Sequence, residues 1–315
     1  MTPGSVAEVP IGQSEVDDKG GLAKSREKQK KWKRWLHSDP NHAIWPQIAS
    51  MLLQDLTFRA LAAAADADPE SALHSPIMRR GLTLGYAATQ GLAIRRLVDM
   101  TKRVISLRKL NADLKNSREL LTREIFVAGF GVPYDPELAH ERYLATLKPD
   151  SGISWLPPTG PTAFAPSTGL HERFDRLSDV ARDRRARSDR IQQRIFERID
   201  TWLTEPEVSA VKDWCDNTLA HASDQPANLS ALAPTFATIT AAHRHIVRSA
   251  AALSTYVLHG PALGEVVPVL QYNQFHRFDR VVSDASVQRT VAERWHELAK
   301  ERNDWVADVF EALVA

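Results

Sequence analysis

Asp213, Asn217 and His221 follow one another at four-residue steps in the stretch EPEVSAVKDWCDNTLAHASD, residues 205–224. Helical geometry sets positions four apart one turn above the next, so an acid, an amide and an imidazole share one face. An imidazole titrates near neutral pH and can take or return a proton, with the amide and acid to orient it. A histidine close to a helix C-terminus also has a plain structural use, answering the helix dipole or a last-turn carbonyl. The helix that must carry the trio is legible. Thr204 is a cap, Pro206 sits in the first turn beside acids, and Val208, Val211, Cys215 and Leu219 form the buried stripe. The helix stops near Ser223–Pro226.

Other groups carry less chemistry. His243 and His245 lie two apart in AHRHIV, on different faces of a helix, and so make poor joint metal ligands. His276 and His296 are isolated. No HExxH, P-loop or Gly-rich nucleotide fingerprint occurs, so no metal and no cofactor is expected. The single cysteine, Cys215, excludes an internal disulfide framework and fits a reducing compartment. Forty Lys and Arg against 39 Asp and Glu leave no global basic field for nucleic acid. No apolar run approaches the roughly 18 residues of a membrane span, and the N-terminus has no apolar signal core. A soluble, cytoplasmic protein without a membrane partner is expected.

The surrounding elements read as helices. Residues 1–22 look like a disordered tail, rich in Gly, Ser, Pro and acids. AKSREKQKKWKRW (23–35) has seven cations and one acid interleaved with Trp32 and Trp35. It either contacts phosphates and bases or is a solvated helix start with its tryptophans in the core. Helical periods follow over 42–68, from Pro76 through 100, over 106–116 behind a Ser106 cap, over 117–131 and over 136–148. Residues 149–169 are thick with Pro and Gly and form a long exposed loop, an excursion from one domain. A long helix over 170–203 has a middle, ARDRRARSDR, charged all round. Nine arginines against seven acids over 171–200 make its surface a mixed face and not a clean basic patch. Two further helices cover 234–259 and 284–314, with 266–278 able to be extended. The expectation is an all-α, multi-helix bundle: one domain over 23–315 of eight or nine helices, with the 149–169 loop.

AIRRLVDMTKRVISLRKLNADLKN (93–116), HERFDRLSD (171–179), the motif helix VKDWCDNTLAHASD and the following PTFATITAAHRHIV together resemble the HEPN superfamily. More narrowly they resemble its abortive-infection AbiU-type branch, over roughly residues 40–275. The resemblance implies an all-α homodimer of bacterial phage defence or toxin–antitoxin type, with RNA or an antitoxin-like protein as partner. In active members it implies a metal-independent ribonuclease whose pattern is an Arg, four to six residues, then a His. Here the His falls on His221 and the polar position after the Arg falls on Asn217. The Arg would fall on Asp216, Cys215 or Trp214, and none is arginine. Asp216 repels a phosphate and can pair with Lys212. Arg95 or Arg96 can supply the missing cation, though adjacent helical residues do not both face one site. Two functions stay open: an RNA endonuclease with His221 as acid or base, Asn217 as orienter and Asp213 in support, or a catalytically degenerate module that binds RNA or a partner protein.

Overall fold

The computed structural model describes residues 9–147, 156–220, 234–260, 265–267 and 285–315. In chain order the helices are α1 (Lys19–Lys33), α2 (Ile44–Ala67), α3 (Pro76–Val98), α4 (Leu107–Asn116), α5 (Arg123–Ala128) and α6 (Pro136–Thr146). They continue with α7 (Phe164–Ser178), α8 (Gln193–Trp202), α9 (Pro206–Cys215), α10 (Phe236–Ala251), α11 (Ala285–Asp304) and α12 (Val309–Val314). Among the described residues the one extended pairing is an isolated bridge between Thr122 and Arg190, so the architecture is all-α. The chain groups into two compact units, Met1–Trp32 with Ala112–Glu197 and Lys33–Asn111 with Arg198–Leu313.

In the first unit, the stretch that reads as a tail is folded from Val9 onward. Val16 and Leu22 pack with Ile125 and Ala128 of α5, and Ile11 and Tyr134 close over them. Ile11, Val16 and Leu22 are too far apart to show a period, and they find their partners more than 100 residues away. Trp32 is fully buried, and its indole Nε1 donates to Asp113 at 2.8 Å. Lys28 and Lys31 pair with the same carboxylate at 2.9 and 3.1 Å. The basic stretch is thus a folded helix whose first tryptophan is closed to bases.

The expected helix over 170–203 is two helices. Asp179 adopts a left-handed conformation, φ 57°, and ends α7; the charged middle then runs irregularly to α8. Its backbone docks on α5, with Arg123 N donating to Asp189 O at 2.9 Å and Glu124 N to Arg187 O at 3.1 Å. Arg123, wholly buried, bridges Asp175 at 2.7 Å and Asp189 at 2.9 Å. Through Asp189 this arginine ties the charged segment to α5, and through Asp175 it ties α7 to the same point. The Pro/Gly-rich loop is shorter than expected: α7 already starts at Phe164, and of that loop 149–155 lies outside the described residues. The 117–131 helix is likewise broken, with a 3₁₀ turn at Arg118–Leu120 before α5.

In the second unit α2 packs on α3 and α11, and α9 packs on both α3 and α10. α2 is long and apolar enough to cross a membrane by length and composition, a test that buried core helices also pass. Gln54, Asp55 and Arg59 interrupt its apolar run. Ser106 caps α4 as expected, its Oγ accepting from Lys109 N at 3.1 Å. Gly91 sets how α9 lies on α3: an added Cβ would fall 2.9 Å from the Trp214 ring. Most of the 266–278 stretch lies outside the described residues.

Candidate functional site

The motif helix departs from its sequence reading at both ends. Glu205, not Thr204, is the N-cap residue, and it caps without its side chain. Thr204 instead turns its hydroxyl back to Asp200 O at 2.8 Å. Pro206 opens the helix, and Val208, Val211 and Cys215 are buried as the spacing predicts. After Cys215 the winding widens into a π-helical turn over Asp216–Ala220. The wider turn carries Leu219 off the stripe, and it is 41% exposed. π turns concentrate at functional sites because they re-aim side chains.

Asp213 and Asn217 are both exposed on this element. His221 lies outside the described residues. Asp216, where the Arg of the resembled pattern would stand with four residues before the His, is held from two sides. Lys212 Nζ donates to its Oδ2 at 2.8 Å, one turn earlier on the same helix. Arg95 Nε, arriving from α3, donates to Oδ1. Arg95 also lies 3.9 Å from Asp99, and Lys212 lies 3.5 Å from Asp213. Burial alone would raise the Asp216 carboxyl, but the hydrogen bonds from Lys212 and Arg95 outweigh it and hold its pKa below the usual carboxylate range. The same hydrogen bond raises Lys212 and Arg95, so all three are charged at neutral pH. Burial pushes the Cys215 thiol up, which keeps it protonated and a weak nucleophile.

Of the two candidate arginines, only Arg95 reaches the motif helix. Arg96 is exposed on a different face of α3, in a cleft with Asn41, Ser50 and Leu92. The cluster around Asp216 therefore sets two cations against three carboxylates.

No family model, curated protein or solved structure matches this chain.

A second polar cluster, absent from the sequence reading, lies in the core of the same unit. Asp55 of α2 accepts from Tyr86 Oη at 2.6 Å, Arg59 Nε at 2.8 Å and Arg302 Nη2 at 2.8 Å. His243 Nε2 donates to Gln90 Oε1 at 2.9 Å, an orientation fixed because the Gln90 amide nitrogen donates to Met51 O at 3.2 Å. The other ring nitrogen, Nδ1, stands bare 4.0 Å from Asp55 Oδ2. Burial lowers the His243 pKa to about 4, against an opposing pull from Asp55. Burial raises Asp55, but His243, Arg59, Arg302 and the Tyr86 hydroxyl together bring it to about 2. Burial and the Asp55 charge push the Tyr86 phenol well above its ordinary range. His243 is buried and His245 half-buried, on different faces as their spacing predicts. Among the described residues no group of three His, Cys, Asp or Glu could hold a metal ion. The signal for this cluster was present: Asp55 and Arg59, four apart in an apolar run, mark a buried pair. Nothing local in the sequence points to Arg302 as their third member.

Proposed function

We propose that this chain is a HEPN-like helical module of the bacterial phage-defence or toxin–antitoxin kind that has lost RNA cleavage and acts by binding a partner protein. One observation carries the reading: a carboxylate, Asp216, stands where the arginine of the resembled pattern falls at its shortest spacing, and it engages both nearby cations. Stabilising the transition state of phosphoryl transfer needs positive charge directed at the phosphate. Here the guanidinium and the ammonium are turned onto Asp216, and Asp213 and Asp99 add further negative charge. Such a surface disfavours RNA and accepts a protein.

The nuclease reading draws support from a single feature, the arrival of Arg95 beside the residue preceding Asn217. To serve a phosphate, that guanidinium must leave Asp216.

Controlled expression in a bacterial host, following growth and total RNA, separates the two. Wild type and His221→Ala are expected to grow alike with intact RNA. The charge-swapped pair Arg95→Asp/Asp216→Arg keeps the ion pair and moves an arginine onto the motif helix. RNA cutting that appears in the swap and disappears when His221→Ala is added would show a cleft that lacks only this cation. RNA cutting by the wild type, lost in His221→Ala, would overturn the module reading.

A further inference from the structure

The outer face between α2 and α3 is a groove that nothing among the described residues fills. Three clefts run into one another there. The middle one, ≈ 360 Å³, shares Phe58, Leu61 and Leu82 with the cleft on one side and Gln54 and Thr89 with the cleft on the other. Arg79 lines one end and Arg96 the other, 17 residues apart on α3, which is about 26 Å of helix. Leu53 and Leu92 line it while 42% and 38% exposed. Gly81 and Gly85 form part of the wall, and a Cβ at either would meet no atom within 4 Å. Glycine destabilises a helix interior relative to alanine, and no internal contact requires it at these two positions. Its effect is to leave the wall low enough for another backbone to approach.

Charge identifies the occupant. α3 carries Arg79, Arg80, Arg95 and Arg96, two at each end, and no acid. Arg95 is engaged by Asp216, and Arg79 meets Asp66 at 3.6 Å with both side chains exposed. Asp39, the one acid that lines the far cleft among the described residues, is held by Arg34 at 3.1 Å. A second copy of α3, laid antiparallel, would bring arginine against arginine. We infer that the groove docks an amphipathic helix of a partner protein, apolar along one face and acidic at both ends, by the helix-in-groove mode. The inference takes its biological sense from the partner-binding reading above, but its geometry does not use the motif helix.

The test uses the full chain and a displayed library of helices of about 17 residues, matched to the groove length. The apolar face is varied, and the ends are fixed as either Glu or Lys. Acid-ended helices are expected to be enriched. Binding of the selected peptides, read by fluorescence anisotropy, should fall at least tenfold on Gly85→Leu, which fills the wall, and on Arg96→Glu. Far-UV circular dichroism and the melting temperature confirm that both variants fold. Gly169→Leu, at another glycine with open space in an unrelated helix, should leave binding unchanged. Enrichment of Lys-ended helices, no enrichment, or equal binding by Gly85→Leu would overturn the inference. So would capture by anionic phospholipid vesicles that Gly85→Leu does not weaken, which would make the face a lipid contact. Failure of the groove leaves the expression experiment on RNA untouched, and RNA cleavage by the wild type leaves the peptide measurement as it stands.

Discussion

Arg302 Nη2 donates to Asp55 Oδ2 at 2.8 Å with neither side chain exposed to solvent. The contact ties α11 to α2 across 247 residues of sequence. Two charges removed from water need near-complete hydrogen bonding, and Asp55 has it from Arg302, Arg59 and Tyr86. Arg302→Met takes away one donor and leaves the carboxylate buried. It should lower unfolding stability by about 3–5 kcal/mol. Adding Asp55→Asn in the same chain should recover part of that loss, because the charge is then gone. Denaturant titrations of the two variants check this, and a double variant less stable than Arg302→Met would refute it.

His243 beside this pair makes stability pH-dependent. Burial brings its folded pKa to about 4, below the 6.5 of an ordinary imidazole. As pH falls below 6.5 the unfolded chain takes up a proton that the buried ring refuses, so the folded state loses ground down to pH 4. Asp55, at about 2 when folded and 3.8 otherwise, continues the loss from there. Both contributions are complete above pH 6.5. The gap at His243 corresponds to about 3 kcal/mol between pH 6.5 and 4. His243→Gln should flatten the melting temperature over that interval and, because the imidazole is one of the groups that hold the Asp55 carboxyl down, also lessen the slope below pH 4.

The elements that sequence reading located were those whose stabilising contacts are local. α2, α3, α4 and α6 announce themselves by apolar spacing, and α4 also by its Ser106 cap; the Asp135 cap of α6, accepting from Glu137 N and Leu138 N, is seen only in the structure. The misreadings share one cause, partners distant in sequence. Asp189 and Asp175 bind Arg123 and hold 179–192 out of helix, and Ile125 gives Val16 and Leu22 a core to join. The candidate site was legible in its positions but not in its pairing. The spacing marked Lys212 as a partner for Asp216, whereas Arg95, 121 residues away, reaches it only through the packing of α9 on α3.

Asp113 is the anchor of the basic N-terminal helix. It accepts from the buried Trp32 indole and from two lysines that are partly exposed. Asp113→Ala strands the indole N–H, which should cost about 1–3 kcal/mol. Exposed lysine pairs are worth much less, so Lys31→Ala should change stability by under about 1 kcal/mol. Comparable losses in the two variants, measured in the same denaturant series, would show that the lysines and not the indole dominate.

Cys215, the single thiol of the chain, gives a direct reading of how firmly the motif helix is held. It is fully buried, and Gly91 lies opposite on α3, where an added Cβ would meet the Trp214 ring at 2.9 Å and Cys215 Cβ at 3.5 Å. The Cys215 Cβ is at ordinary contact distance, but the Trp214 ring is too close for a Cβ, so the ring or the helix that carries it must shift. Reaction of Cys215 with an aromatic disulfide reagent under native conditions proceeds only through opened forms, so its rate follows the free energy of opening. Gly91→Ala should lower that free energy by about 1.4 kcal/mol, a tenfold faster reaction. Arg95→Ala removes a half-exposed ion pair from the same helix and should speed the reaction by no more than about fivefold. A rate in Gly91→Ala equal to wild type would mean that the contact between α3 and α9 is slack, and that Asp216 is held to Arg95 by the ion pair alone.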